Sequence, residues 1–258
     1  MANLDSTYIA TLIFIESGKQ HETALAMERF TDRWNGFRDK YYNLELKYGQ
    51  NITDTFWRED FDKINTLVVS AESLVSSRQL ARAGEKLMPI KLIMRDMRRR
   101  HGLAYYLDAL ADFQKTTLDI RQPILGRTKL KERDVSDLRE LFQAAQQSLT
   151  TLAKTKIDRR YFPLNRKQQK AISLRLENEQ KLMGGVAAAM ATRKIPLIAG
   201  AIDALQPDLA LTYRAFGDTQ PIFDQILKER KEKESKTTTT TLKKKKAKPT
   251  TKKVKHRR

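Results

Sequence analysis

Along most of this chain, apolar side chains recur at three- and four-residue intervals. That is the period of a helix with one buried face, and the strict alternation of a half-buried strand is rare. Met27, Phe30, Trp34, Phe37, Tyr41 and Leu44 step by 3, 4, 3, 4 and 3, the a/d seam of a coiled coil or bundle and a packing stripe rather than a ligand platform. Phe61, Ile64, Val68, Ala71 and Val75 repeat the pattern on a following helix. Gly49-Gln50-Asn51 marks the break between the two, and Thr53 or Asp54 caps the second ahead of Arg58-Glu59-Asp60. From Gln79 to Ile120 the seam runs through Leu87, Ile90, Met94 and Met97, then Leu103, Leu107, Leu110, Phe113 and Thr117. Pro89 predicts a helix start near Met88 or a kink, because proline lacks the amide donor and crowds the preceding turn, and Gly102 punctuates the segment again.

Beyond a linker at 122–133, with Pro123 and Gly126, Ser136 or Asp134 caps a helix through Leu138, Leu141, Phe142, Ala145, Leu149 and Leu152. Tyr161-Phe162-Pro163 closes it, and Asn165 opens a helix to about Met183. Gly184-Gly185 then turns the chain into an Ala-rich helix, with Pro196 and Pro207 as further start or kink points. Asp218 or Thr219 with Pro221 opens a last amphipathic helix, Ile222 to Glu234. The predicted fold is all-α, a bundle of antiparallel helical hairpins. Residues 1–121 supply two hairpins and 134–234 a second helical portion of the same or another domain.

Three segments superpose without gaps by shifts of 60 and 168 residues. Met27, Phe30, Trp34 and Phe37 fall on Leu87, Ile90, Met94 and Met97, and again on Ile195, Ile198, Ile202 and Leu205. Upstream, Phe14-Ile15 with Ser17 falls on Leu74-Val75 with Ser77, and on Leu182-Met183 with Gly185. Each unit therefore reads as helix, small-residue turn, helix. The unequal spacing argues for a bundle over a fixed-period solenoid.

Composition narrows the chemistry. The 258 residues include no cysteine, which excludes disulfides, thiolate metal sites and a cysteine nucleophile. His21, His101 and His256 stand in no metal-ligand spacing, so neither a metal nor a cofactor is expected. Met88, Met94 and Met97 with His101 form a packing stripe rather than a haem box. No phosphate-binding glycine loop and no nucleophile elbow occurs. Asp60 with Asp62 and Glu177 with Glu179 read as solvated faces. The expectation is a non-enzymatic protein. The N-terminus lacks a basic n-region, and Tyr8 to Ile15 is too short a run to span a bilayer, which predicts a cytoplasmic location.

Charge supplies the positive signal. Residues 235–258 hold eleven cations and no acid: Lys236, Lys243, Lys244, Lys245, Lys246, Lys248, Lys252, Lys253, Lys255, Arg257 and Arg258. Threonine fills much of the remainder, and only Leu242, Ala247 and Val254 are apolar, so the segment cannot bury a core and is predicted to be a disordered tail. It carries +11 of the formal +19, leaving 39 basic and 31 acidic residues in the body. In composition this tail resembles the Lys-rich tails of linker histones and of some bacterial histone-like proteins. The resemblance implies a class of partner and no shared fold.

Within the body, Arg95, Arg98 and Arg99 share a helical face beside the Ile90/Met94/Met97 seam. Two readings stay open: a phosphate site, suited to the planar guanidinium fork, or an ion-pairing face for acids such as Asp108 and Asp112. Further basic clusters are Arg127-Lys129-Lys131-Arg133, Arg159-Arg160 and Arg166-Lys167-Lys170. The leading expectation is a protein that binds the phosphate backbone of DNA or RNA without sequence specificity, in the cytoplasm or at the nucleoid. The alternative is a structural scaffold, self-associating or bound to an anionic membrane or granule surface, resembling in architecture the phasin-type granule proteins without any phasin motif. Polyphosphate is a third candidate partner.

Overall fold

The computed structural model describes residues 2–43, 54–158, 162 and 164–246, with the backbone alone for Ala2 and for 234–246. The break at Gly49-Gln50-Asn51, the cap at Thr53, the Arg159-Arg160 cluster and tail residues 247–258 lie outside the described residues. Every regular element among the described residues is helical. Two compact units are present, Met1–Asp218 and Thr219–Arg258. Within the segment 122–133 a 3-10 turn, Gln122–Ile124, buries Ile124 in the core.

The first unit opens with α1 (Ala2–Glu16), α2 (Gln20–Tyr41), α3 (Trp57–Ser76) and α4 (Leu80–Arg100). They form two hairpins, α1 with α2 and α3 with α4, joined into a four-membered ring by contacts of α2 with α3 and of α1 with α4. The predicted shift of 60 residues holds in the backbone. Helix ends at Glu16 and Ser76 and starts at Gln20 and Leu80 correspond. So do the turn bonds: Gly18 N to Ile15 O and Lys19 N to Phe14 O recur as Arg78 N to Val75 O and Gln79 N to Leu74 O. Leu4, Tyr8, Thr11 and Ile15 match Ile64, Val68, Ala71 and Val75, all buried. Thr23, Met27, Phe30 and Trp34 match Ala83, Leu87, Ile90 and Met94, also buried. Each turn needs one left-handed residue, Gly18 at φ 68° and Arg78 at φ 59°. The arginine adopts at a cost of about 1 kcal/mol a conformation that glycine reaches freely.

The remainder of the unit is α5 (Tyr106–Asp119), α6 (Glu132–Lys154), α7 (Arg166–Ala191), α8 (Ile195–Asp203) and α9 (Gln206–Arg214). Helix α5 pairs with α6 and α7 with α8, while α9 touches α1, α5 and α7 and ties the two halves together. Gly217 allows the chain to cross α1 closely, since a Cβ there would lie 2.9 Å from Ile13 Cδ1 and 3.0 Å from Ile9 Cγ2.

The third repeat differs from its prediction. Gly184 and Gly185 sit exposed inside α7, and the turn falls at Thr192-Arg193-Lys194, with Arg193 at φ 55°. The true shift is 175, placing Ile198, Ile202 and Leu205 on Thr23, Met27 and Phe30. The expected shift differs by seven residues, one heptad, which leaves the apolar phase unchanged and so escapes detection by pattern alone. With the corrected register, Met183 and Val186 fall on Tyr8 and Thr11, and Glu179 falls on Leu4 and Ile64.

Other local expectations divide. Asn165 Oδ1 accepts from Gln168 N and Gln168 Oε1 from Asn165 N, a reciprocal cap that opens α7. Asp134 sits in the first turn of α6, accepting from Lys131 N at 2.8 Å. Pro89 neither starts nor ends α4, which continues through it. Gly102, at φ 66°, closes α4 in the left-handed cap, with Leu103 N bonded back to Arg98 O. In the second unit α10 (Gln220–Lys246) begins near Pro221, as expected, and its backbone stays helical to Lys246 instead of stopping at Glu234.

Candidate polyanion-binding surfaces

The arginine trio of α4 splits by helical geometry. Positions 95 and 99 share one face, whereas 98 turns inward with Met94 and Met97 and is only 3% exposed. Its guanidinium forks onto Asp108 of α5, with Nε to Oδ2 at 2.8 Å and Nη2 to Oδ1 at 2.5 Å. Nη1 lies 3.5 Å from Asp5 of α1, and the ring of Tyr105 sits 4.3 Å below the guanidinium carbon. Tyr105 Oη donates to Asp5 at 2.6 Å. Burial alone would pull Arg98 toward neutrality, but hydrogen bonds and charge from Asp108 and Asp5 hold it above its ordinary range. Asp5 is raised by burial, against the opposing pull of Arg98 and Tyr105. Arg98 therefore links α1, α4 and α5 inside the protein and is out of reach of any phosphate, which corrects its assignment to a polyanion face.

Its neighbours are also paired. Arg95 contacts Asp96 at 3.1 Å and Asp112 at 3.2 Å, and Arg99 takes the other oxygen of Asp112. Arg100 continues the run with Asp54, at 2.9 Å, and Asp60. Asp54 also accepts from Phe56 N at the start of α3 and meets His101 Nε2 at 3.2 Å. Burial nudges Asp54 upward, but the bonds from Arg100 and Phe56 N hold its carboxyl below the usual range. Asp60, read from sequence as a solvated acid, is buried in this cluster. The cations near the end of α4 thus answer carboxylates from α1, α3 and α5.

Glu179 departs further from its reading as solvated. It is 1% exposed, and neither carboxylate oxygen has a hydrogen-bond partner among the described residues. Burial, reinforced by Asp208 at the start of α9, pushes its carboxyl up to about 8. Asp208 itself accepts from Asn178 Nδ2 at 2.7 Å. A small cleft of about 110 Å³ between α1, α4, α5 and α9 places Lys91 beside Met88, Gln114 and Tyr213. Burial and the nearby Arg95 depress the Lys91 amine, whose Nζ lies 5.8 Å from the Tyr213 ring centre. Glu16 and Arg214 line the same cleft, paired with each other. No cluster of three metal-ligating side chains occurs among the described residues, and no described helix is long and apolar enough to cross a membrane.

The Arg127–Arg133 cluster lies differently. Its loop meets the turn between α7 and α8, where Arg193 Nη1 bonds Glu132 Oε1 at 2.5 Å, and Arg127 lies 3.7 Å from Asp134. Lys129, Lys131, Arg133 and Lys194 are exposed and meet no carboxylate within 4 Å among the described residues. The tail side chains, Lys236 to Arg258, lie outside the described residues. No protein-family model, curated protein or solved structure shows similarity to this chain, so the assignment of function rests on its own residues.

Proposed function

We propose that this protein binds nucleic acid without sequence specificity, through the phosphate backbone and chiefly by its Lys-rich C-terminal segment, as a non-enzymatic component of the cytoplasm or nucleoid. The observation that carries the reading is the run of eleven cations without one acid across 235–258, joined to a body that is itself net basic. Each phosphate neutralised by a lysine or arginine releases condensed counterions, which drives binding whatever the base sequence. The helical body offers shape or self-association.

The test is a full-length variant with all eleven tail cations replaced by Gln, titrated against a duplex at several salt concentrations. The slope of log affinity against log salt should fall by several units, and all duplex sequences should weaken alike. Loss confined to one sequence would refute backbone binding. An unaltered slope would remove the tail from the interface, and stronger retention on polyphosphate or on anionic vesicles than on DNA would reassign the partner.

A further inference from the structure

The helical turn at Thr192-Arg193-Lys194 and the loop at 128–130, more than sixty residues apart in sequence, together wall a surface groove of about 690 Å³. Its lining includes Lys129, Arg193 and Lys194 beside Leu130, Ile195 and Pro196. The Arg193–Glu132 ion pair braces the two segments against each other across the groove's edge. The two segments carry Arg127, Lys129, Lys131, Arg133, Arg193 and Lys194 against only Glu132 and Asp134, and both acids are engaged, by Arg193 and by Lys131 N with Arg127.

We propose that this groove is a second binding site for a phosphodiester strand, an anchor on the body itself; the inference rests on the nucleic-acid reading above. Three features point to that ligand. The cations are exposed and converge from two elements, whereas those near the end of α4 are matched by acids. The lining contains no aromatic ring, so bases have no stacking platform and recognition falls to phosphate and sugar. The apolar Leu130, Ile195 and Pro196, each lining the groove with the cations, suit the deoxyribose edge that lies between successive phosphates.

The test uses the full chain. Lys129→Gln/Lys194→Gln leaves the Arg193–Glu132 brace intact, and a third substitution, Arg193→Gln, removes it. Anisotropy titrations of a fluorescent duplex should show the salt slope falling by about 2 in the double variant and about 3 in the triple, near one unit for each phosphate no longer neutralised. The melting temperature of the double variant should be unchanged. Arg95→Gln/Arg99→Gln serves as a charge-matched control and should leave the slope intact. A double variant with wild-type slope, alongside a tail-neutral variant that has lost binding, overturns the groove and leaves the tail reading standing. Absence of salt-dependent binding by the wild type overturns both. Loss of binding to phosphatidylserine vesicles with DNA binding retained would make the groove a lipid-headgroup site and also overturn the proposal.

Discussion

The two halves of the body treat charge in opposite ways. Around Arg98, where α1, α4 and α5 meet, the buried guanidinium is answered by Asp5 and Asp108 and covered by an aromatic face. In the other half, Glu179 of α7 is buried with no hydrogen-bond partner among the described residues, while Lys194 at the turn after α7 and Lys129 in the facing loop stay exposed and meet no carboxylate within 4 Å among them. Among packed helices, density of like charge along a sequence therefore says little about its availability. What decides is the presence of counter-charges on the elements packed alongside, and these arrive from distant parts of the chain.

The sharpest way to break this contrast is at Arg98. Replacing it with Gln leaves Asp5 and Asp108 buried without their cation, and removal of one partner from such a site costs about 3–5 kcal/mol. Urea denaturation of Arg98→Gln should show that loss, and a change below about 1 kcal/mol would mean the cluster is solvated and the contrast false. Raising the pH cannot substitute for the mutation, because Arg98 stays charged throughout the accessible range.

Glu179 tests the other side, and here removal of charge should help. Its carboxyl titrates near 8 in the folded chain against 4.5 in the unfolded one, so the folded state binds a proton that the unfolded state releases. The contribution of Glu179 to stability is then greatest below about pH 4.5, declines as pH rises toward 8, and is level beyond. Glu179→Leu, the residue type at the matching position 4, should flatten this decline and add on the order of 2 kcal/mol at pH 8. Thermal melts of both proteins between pH 4 and 9 check it; parallel curves would show that Glu179 has a partner in solution.

The smallest effect is expected at Arg95 and Arg99. Both hold Asp112, Arg95 half-buried and Arg99 exposed, and pairs open to solvent contribute about 0.2–1 kcal/mol each. Arg95→Gln/Arg99→Gln should lower stability by no more than about 1 to 2 kcal/mol in a urea titration, well short of Arg98→Gln alone. Equality of the two would erase the distinction between buried and surface members of the run.

Much of this architecture is legible in the sequence, and what is not has physical reasons. The seam Phe61, Ile64, Val68, Ala71 and Val75 predicts its own burial because side-chain period and helix period coincide. The first two hairpins also align from sequence, since their turns fall at the same offset. The third escapes by one heptad, which a periodic pattern cannot register. Pairing between Arg98 and Asp5 crosses 93 residues and leaves no local trace, although Asp108 and Asp112 stand near enough in sequence to be named as partners. Glu179 did leave a signal: it stands seven residues after Ile172 and four before Met183, in the seam itself, where a charge is out of pattern. The groove at Lys129 and Arg193 required the fold, because the loop and the turn approach each other only through the packing of α6 on α7.

The ring of α1 to α4 has a consequence beyond burial. Two copies of one hairpin, placed so that α2 meets α3 where α1 meets α4, have the arrangement of an isologous dimer whose subunits share a single chain. In such an arrangement each packing surface occurs twice, so a substitution at one seam position has a counterpart 60 residues away facing an equivalent environment. The chain connection also replaces a concentration-dependent association by an intramolecular one, and the assembly holds together at any dilution. Having stability independent of concentration, the duplicated bundle frees the rest of the chain to diverge: the third hairpin tolerates a carboxylate where its siblings carry leucine and isoleucine.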